Sequence, residues 1–179
     1  MKLHRYHDIY PLRNVYQDWL KPHFKDGDFD LTFTFNPHYW NPDYNSKPDA
    51  ISCGKHVRHY LNVINRGFYG HHYKRGRKQL KSAHFFELNQ NLGFHVHMVL
   101  ENPNDCQMNS KYRIQYLHNS WMKMKCSGVP EANLVRETKS VDAWINYITK
   151  DIKQSTIHMA DVSNWFLGSI NINQIQLNK

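Results

Sequence analysis

Apolar and polar positions follow two different periods along this chain, and the switches between them mark out its elements. Leu12, Val15, Tyr16, Trp19 and Leu20 recur at helical spacing until Pro22 closes the run. Asp26, Gly27, Asp28 and Asp30 then form a turn. Their alternating acids resemble a calcium loop, but the glycine and terminal glutamate of such a loop are missing. Residues 31–36 (LTFTFN) alternate with period two, as a half-buried strand does, and Pro37 ends them. Residues 37–48, rich in Asn, Pro and aromatics, read as a loop. Asp49 is placed to cap a helix running to about Asn65, with Ile51, Val57, Tyr60, Leu61 and Ile64 on its inner side.

Further on, strands are predicted over 83–88 and 93–101, joined as a hairpin by Asn89-Gln90-Asn91-Leu92. Ser110 reads as the cap of a helix carrying Ile114, Leu117, Trp121 and Met124, which Gly128-Val129-Pro130 breaks. A short strand is predicted over 133–137. Ser140 then caps a helix bearing Val141, Trp144, Ile145 and Ile148. The tail from Gly168 carries no readable period. This order predicts an α+β fold, a central antiparallel sheet of about five strands flanked by helices. With no repeat or low-complexity tract, 1–179 is expected to form one domain.

Composition narrows the function classes. A chain of 179 residues, 40% hydrophobic and 14% aromatic, can bury a core without disulfides or a structural metal. Its 23 Lys+Arg against 15 Asp+Glu leave +8, which points to a polyanionic partner. No glycine opens a phosphate-binding loop of the G-x-x-x-x-G-K-[ST] kind, so no ATPase motor is expected. The start lacks an apolar signal region, and nothing approaches the roughly 18 apolar residues of a membrane span. Cys53, Cys106 and Cys126 fit no zinc or disulfide framework, so free thiols in a reducing, intracellular compartment are expected. Cys53-x2-His56-x2-His59 admits a metal reading, but such spacings arise readily among 13 histidines.

The most informative segment is Phe94-His95-Val96-His97-Met98-Val99-Leu100. Residues two apart on a strand share a side, so His95 and His97 project together while Val96, Met98 and Leu100 enter the core. The triplet alone says little, because chance supplies roughly 0.9 His-x-His in such a composition. Its apolar setting carries the argument: imidazoles on a core strand need partners, and a metal is a natural one. Glu87, on the preceding strand of the hairpin, is the third ligand this arrangement offers; His84 and Glu101 are the alternatives. Two imidazoles and a carboxylate with open positions suit Mg²⁺ or Mn²⁺. Later in the chain, Tyr147 and Lys150 fall on one side of a helix at i, i+3, where a cation and a metal-bound electrophile would assist a phenol nucleophile. Tyr44-x-x-Lys47 has the same spacing but lies in the Pro/Asn loop.

Taken in order, the Thr-rich strand 31–36, the His-Val-His strand and Tyr147-Ile148-Thr149-Lys150 resemble the three motifs of HUH endonucleases. The branch they look most like is the single-tyrosine rolling-circle replication initiators (Rep proteins) of small viruses, phages and plasmids. The resemblance covers a core of about 30–153 and leaves 154–179 as a C-terminal extension. It implies a sheet related to the RRM/ferredoxin arrangement and a divalent cation, Mg²⁺ or Mn²⁺, held by His95, His97 and Glu87. It also implies attack by Tyr147 on single-stranded DNA, at an origin or stem-loop, leaving a 5′-phosphotyrosine and a free 3′-OH, with Lys150 assisting. Helicase and polymerase would be separate proteins, and the setting a microbial cytoplasm or nucleoid, or a host nucleus for a eukaryotic virus. Some family members use two tyrosines on one helix; Tyr112-x3-Tyr116 has that spacing without a following lysine in register, so a single-tyrosine enzyme is expected.

Residues 66–81 (RGFYGHHYKRGRKQLK) hold six cations, no acid and interleaved aromatics. They read as a mobile single-strand-binding loop or hairpin, with Lys74, Arg75, Arg77 and Lys78 on phosphates and Tyr73 under a base. Two other functions fit the chain: a single-domain HUH tyrosine transposase, with Asp151 as a further metal ligand, and a non-catalytic single-strand-binding domain.

Overall fold

The computed structural model describes residues 9–37, 49–76, 78–89, 93–106 and 108–168. Within them the period-two segments become β1 (Phe29–Thr34), β2 (Ser82–Asn89), β3 (Gly93–Leu100) and β4 (Leu134–Glu137). They pair antiparallel in the order β2-β3-β1-β4. The fold is α+β as predicted, but the sheet has four strands among the described residues rather than five. The helices are α1 (Ile9–Leu20), α2 (Ala50–Tyr69), the short α3 (His71–Lys74), α4 (Ser110–Met122) and α5 (Val141–Ile148).

Both sides of the sheet are covered, which is why β3 is buried at nearly every position. Phe29, Leu31 and Phe33 of β1 and Phe94, Val96 and Met98 of β3 pack under α2 and α4, against Tyr60, Ile64, Leu117 and Trp121. Phe33 stacks on Trp121 at 4.6 Å and 6°, a contact worth about 0.5–1.5 kcal/mol beyond the area it buries. On the other side, Ala83, Phe85 and Val99 pack against Tyr16 and Leu20 of α1 and Trp144, Ile145 and Ile148 of α5. The alternation therefore sorts apolar residues between two cores, and the odd-numbered positions of β2 and β3 share their side with His95 and His97.

Local chemistry sets most helix ends. Asp49 and Ser52 form a reciprocal capping box on α2, and Ser140 Oγ accepts from Ala143 N on α5; a cap of this kind is worth about 1 kcal/mol. On α4 the cap is Asn109, whose side chain accepts from Lys111 N, rather than Ser110. The larger departure is α2, which continues past Asn65 through Tyr69 because Phe68 and Tyr69 still face the core. Gly67 permits this continuation, since a Cβ there would lie 1.9 Å from Tyr116 Oη of α4.

The expected C-terminal extension is part of the packing as far as residue 168. Ala160 bridges to Phe85 and Phe166 to Ser82, so this segment covers the β2 edge that would otherwise expose unpaired backbone. His84 Nε2 lies 3.1 Å from Asp161 Oδ2, and Trp165 Nε1 donates to the His84 carbonyl. The acids of the early turn are each engaged separately: Asp26 with Val141 N, Asp28 with Lys25 N and Asn102 N, and Asp30 with Arg136. Cys53, Cys106 and Cys126 are free, and burial pushes the Cys126 thiol up to about 11. Among the described residues no helix is long and apolar enough to cross a membrane.

Candidate metal centre and tyrosine site

Antiparallel pairing places Glu87 of β2 directly across from His95 of β3, with His97 two residues further along the same side. The ligand atoms of Glu87, His95 and His97 all lie within 4.8 Å of one another, and this is a group that can hold a metal ion. Glu87 Oε2 is 3.0 Å from His97 Nε2 and 3.5 Å from His95 Nε2, so both imidazoles turn the same nitrogen toward the carboxylate. Each histidine is only 4% exposed.

The other ring nitrogens are held too, in two different ways. His95 Nδ1 is 3.3 Å from the Gly93 carbonyl. A carbonyl only accepts, so this contact puts the proton on Nδ1 and leaves Nε2 ready to ligate. His97 Nδ1 is 3.0 Å from Thr32 Oγ1. A hydroxyl both donates and accepts, so it supports His97 while Nε2–H donates to Glu87 and equally when Nε2 gives its lone pair to a cation.

Charge favours the ligating forms. Burial and the neighbouring His95 push His97 down to about 4, against a smaller upward pull from Glu87, so its imidazole is neutral at neutral pH. For Glu87, burial acts to raise the carboxyl, but Lys150 and the two histidines outweigh it and hold it below its ordinary value. Lys150 Nζ is 3.1 Å from Glu87 Oε2. Burial opposes its charge, yet hydrogen bonds to Glu87 and Tyr147 raise it above the usual lysine value.

Tyr147 completes the cluster. Its ring meets His97 edge-on at 5.2 Å, stacks on Trp144 at 5.3 Å and 16°, and has Lys150 Nζ 4.1 Å from its centroid. Although α5 ends at Ile148, the turn that follows folds Lys150 back over the tyrosine, so the i, i+3 neighbours meet just beyond the helix. Trp144 is itself fixed by donating from Nε1 to the Met98 carbonyl at 3.0 Å. Tyr147 remains 43% exposed. A cleft of ≈ 330 Å³ beside it is lined by Glu87, His97, Ile148, Asp151, Thr156 and Met159 among others.

Five residues expected from sequence, Glu87, His95, His97, Tyr147 and Lys150, thus come together. The alternatives do not: His84 projects to the other side of β2 and pairs with Asp161, while Glu101 accepts from Lys81 N. Cys53 is sealed in the core, so the Cys53-x2-His56-x2-His59 spacing forms no ligand group. Tyr112 is exposed on α4, and Tyr116 donates to the Val63 carbonyl.

The basic segment differs from its expectation as a mobile loop. Arg66, Phe68 and Tyr69 belong to the last turn of α2, and Tyr73 and Lys74 to α3. Phe68 and Tyr69 are buried and pack in the core, while Tyr73 is half-buried and donates from Oη to Asn62 Oδ1. Lys74 and Arg75 are exposed, Lys78 pairs with Asp105 at 2.6 Å, and Arg77 lies outside the described residues, as do Tyr44 and Lys47. Thr32 and the Trp144 shelf were not singled out from sequence. The alternation of 31–36 places Thr32 on the polar side of its strand, but only the β1–β3 register sets it opposite His97. Comparison with protein-family models, curated proteins and solved structures returns no significant match for this chain.

Proposed function

We propose that this chain nicks and rejoins single-stranded DNA through a covalent tyrosine intermediate, using a divalent cation at Glu87, His95 and His97. The observation that carries the reading is the contact of Tyr147 with both His97 and Lys150, the latter also paired to Glu87. A nucleophile, a cation and a ligand group within one cluster are what phosphodiester transfer by a phenol requires. Sequence resemblance to single-tyrosine Rep proteins among the HUH endonucleases supports the same reading.

The donor set of two imidazoles and one carboxylate fits Mn²⁺ or Mg²⁺, with the imidazoles favouring Mn²⁺. Bound there, the ion would polarise a non-bridging phosphate oxygen. Tyr147 Oη attacks phosphorus and gives up its proton to water; the P–O3′ bond breaks, and the departing 3′ oxygen takes up a proton from water. Lys150 stabilises the developing phenolate and the phosphate charge, and Trp144 holds the ring in line. The phosphotyrosine bond retains the energy of the one broken, so a 3′-OH reverses the step without ATP. Lys74 and Arg75, exposed cations of the basic segment, would follow DNA phosphates.

The test is incubation with labelled single-stranded DNA and Mn²⁺, followed by denaturing electrophoresis. A protein–DNA adduct is expected from the wild type and none from Tyr147→Phe or after chelation. An adduct that persists in Tyr147→Phe overturns the assignment, and a wild type that binds DNA without forming any adduct is a binding module. Asp151, four residues after Tyr147, lines the same cleft as Glu87 and His97 and favours a tyrosine transposase as the second reading. In that case Asp151→Asn weakens Mn²⁺ binding; in an initiator it does not.

A further inference from the structure

Helices α2 and α4 lie on the sheet side opposite the metal-ligand group, and both carry cations and no acid. Residues 50–69 contain Lys55, Arg58 and Arg66, residues 110–125 contain Lys111, Arg113, Lys123 and Lys125, and neither stretch holds an acid. Arg113 turns inward to Asn102 and the Met108 carbonyl. Three of the others, Lys55, Lys123 and Lys125, line a groove of ≈ 590 Å³ between the helices, together with His56, His59 and Tyr116. Among the described residues no carboxylate lines it. The three lysines are exposed and form no ion pair with a described residue, and the acid that senses Lys55 is Asp49, already committed to capping α2.

From this we infer a second nucleic-acid site: the α2–α4 groove holds a stretch of polynucleotide backbone on the side of the protein away from Tyr147. Like charges that line one concave surface cost the folded state self-repulsion, and a polyanion relieves it. Concavity separates the possible polyanions. Lys55 of α2, and Lys123 and Lys125 just past the end of α4, line a groove in which Tyr116 is fixed by its bond to the Val63 carbonyl, and a single chain of phosphates with bases to stack can enter it. A flat lipid surface would reach only the outermost ammonium groups. The inference goes beyond the nicking reading and does not need it, since it concerns binding without metal or covalent chemistry.

The experiment uses the full chain carrying Tyr147→Phe, in chelator, with a fluorescent single-stranded oligonucleotide of about 30 nucleotides, longer than the ~4–16 that one small binding surface covers. Affinity is measured by anisotropy over a range of salt. Replacing Lys55, Lys123 and Lys125 together by Gln should lower the slope of log K against log salt by about 2, at roughly 0.7 per lost phosphate contact. A variant of equal charge, with Lys21, Lys25 and Lys139 replaced by Gln, should change the slope by much less. Equal effects from the two variants, or an unchanged slope in the first, overturn the inference. So does binding to phosphatidylserine vesicles that is lost in the groove variant while oligonucleotide affinity stays the same. The adduct assay on the otherwise wild-type chain keeps the two readings apart. A slope change without any adduct leaves the groove standing and removes the nicking function, and an adduct with no slope change does the reverse.

Discussion

Replacing Thr32 by Val tests whether the candidate metal site depends on a hydroxyl from the neighbouring strand. The change is nearly isosteric and deletes one contact, Oγ1 to His97 Nδ1 at 3.0 Å. Without metal, Nδ1 loses a donor inside a buried site, a loss on the order of 1 kcal/mol. With metal the loss is larger, because Nε2 is then the ligating atom, Nδ1 carries the proton, and a buried N–H has nowhere to donate. Groups that orient a ligating histidine in this way typically change metal affinity by about 10–100-fold, or about 1.4–2.7 kcal/mol. Calorimetric titration with Mn²⁺ and urea unfolding in chelator measure the two effects separately. The expectation is a 10–100-fold weaker Mn²⁺ affinity beside a smaller loss of metal-free stability, with Thr32→Ser recovering most of the affinity. His95 is the internal reference, since its Nδ1 rests on the Gly93 backbone and is untouched by the substitution. Unchanged Mn²⁺ affinity in a folded Thr32→Val would refute the orienting role.

Three other outcomes follow from the packing and the charges. The His97 imidazole should titrate near pH 4 by NMR in the metal-free protein, whereas in the unfolded chain it takes up its proton near 6.5. Between these values the unfolded state binds the extra proton, so stability should fall as pH drops from about 6.5 to about 4, by at most about 3 kcal/mol from this group; a midpoint near 6.5 in the folded protein contradicts its burial. Gly67→Ala should destabilise the α2–α4 contact by about 1–3 kcal/mol in urea unfolding, with partial recovery on adding Tyr116→Ala, and a neutral Gly67→Ala means the helices separate freely there. Phe68→Ala should cost about 3–5 kcal/mol of stability as a fully buried ring, while near-native stability combined with weaker DNA binding would restore it as a stacking residue.

The elements that sequence made legible are those whose signals are local. Alternation in Phe94-His95-Val96-His97-Met98 put both imidazoles on one side whatever packed above them, and a short hairpin connection brought Glu87 across from His95. Asp49 and Ser140 cap their helices through bonds spanning three residues, so these starts needed no tertiary information. Tyr147 and Lys150 are likewise close in sequence and meet within one turn.

What sequence left open depends on contacts between distant segments. Burial of Phe68 and Tyr69 is not legible in sequence, because a basic, glycine-containing stretch reads as a loop until α4 supplies a partner surface for it. Thr32 became part of the site only because β1 pairs with β3 in the one register that sets it opposite His97. The packing of α5 against β3 brings Tyr147 to His97 across 50 residues of chain. The α2–α4 groove arises in the same way, from lysines about 70 residues apart whose charges converge only when the two helices lie side by side. Periodicity and turn chemistry act over a few residues and so determined the elements, the histidine pair and its carboxylate. Register, helix placement and the joining of separate charges are long-range, and only the tertiary structure decided them.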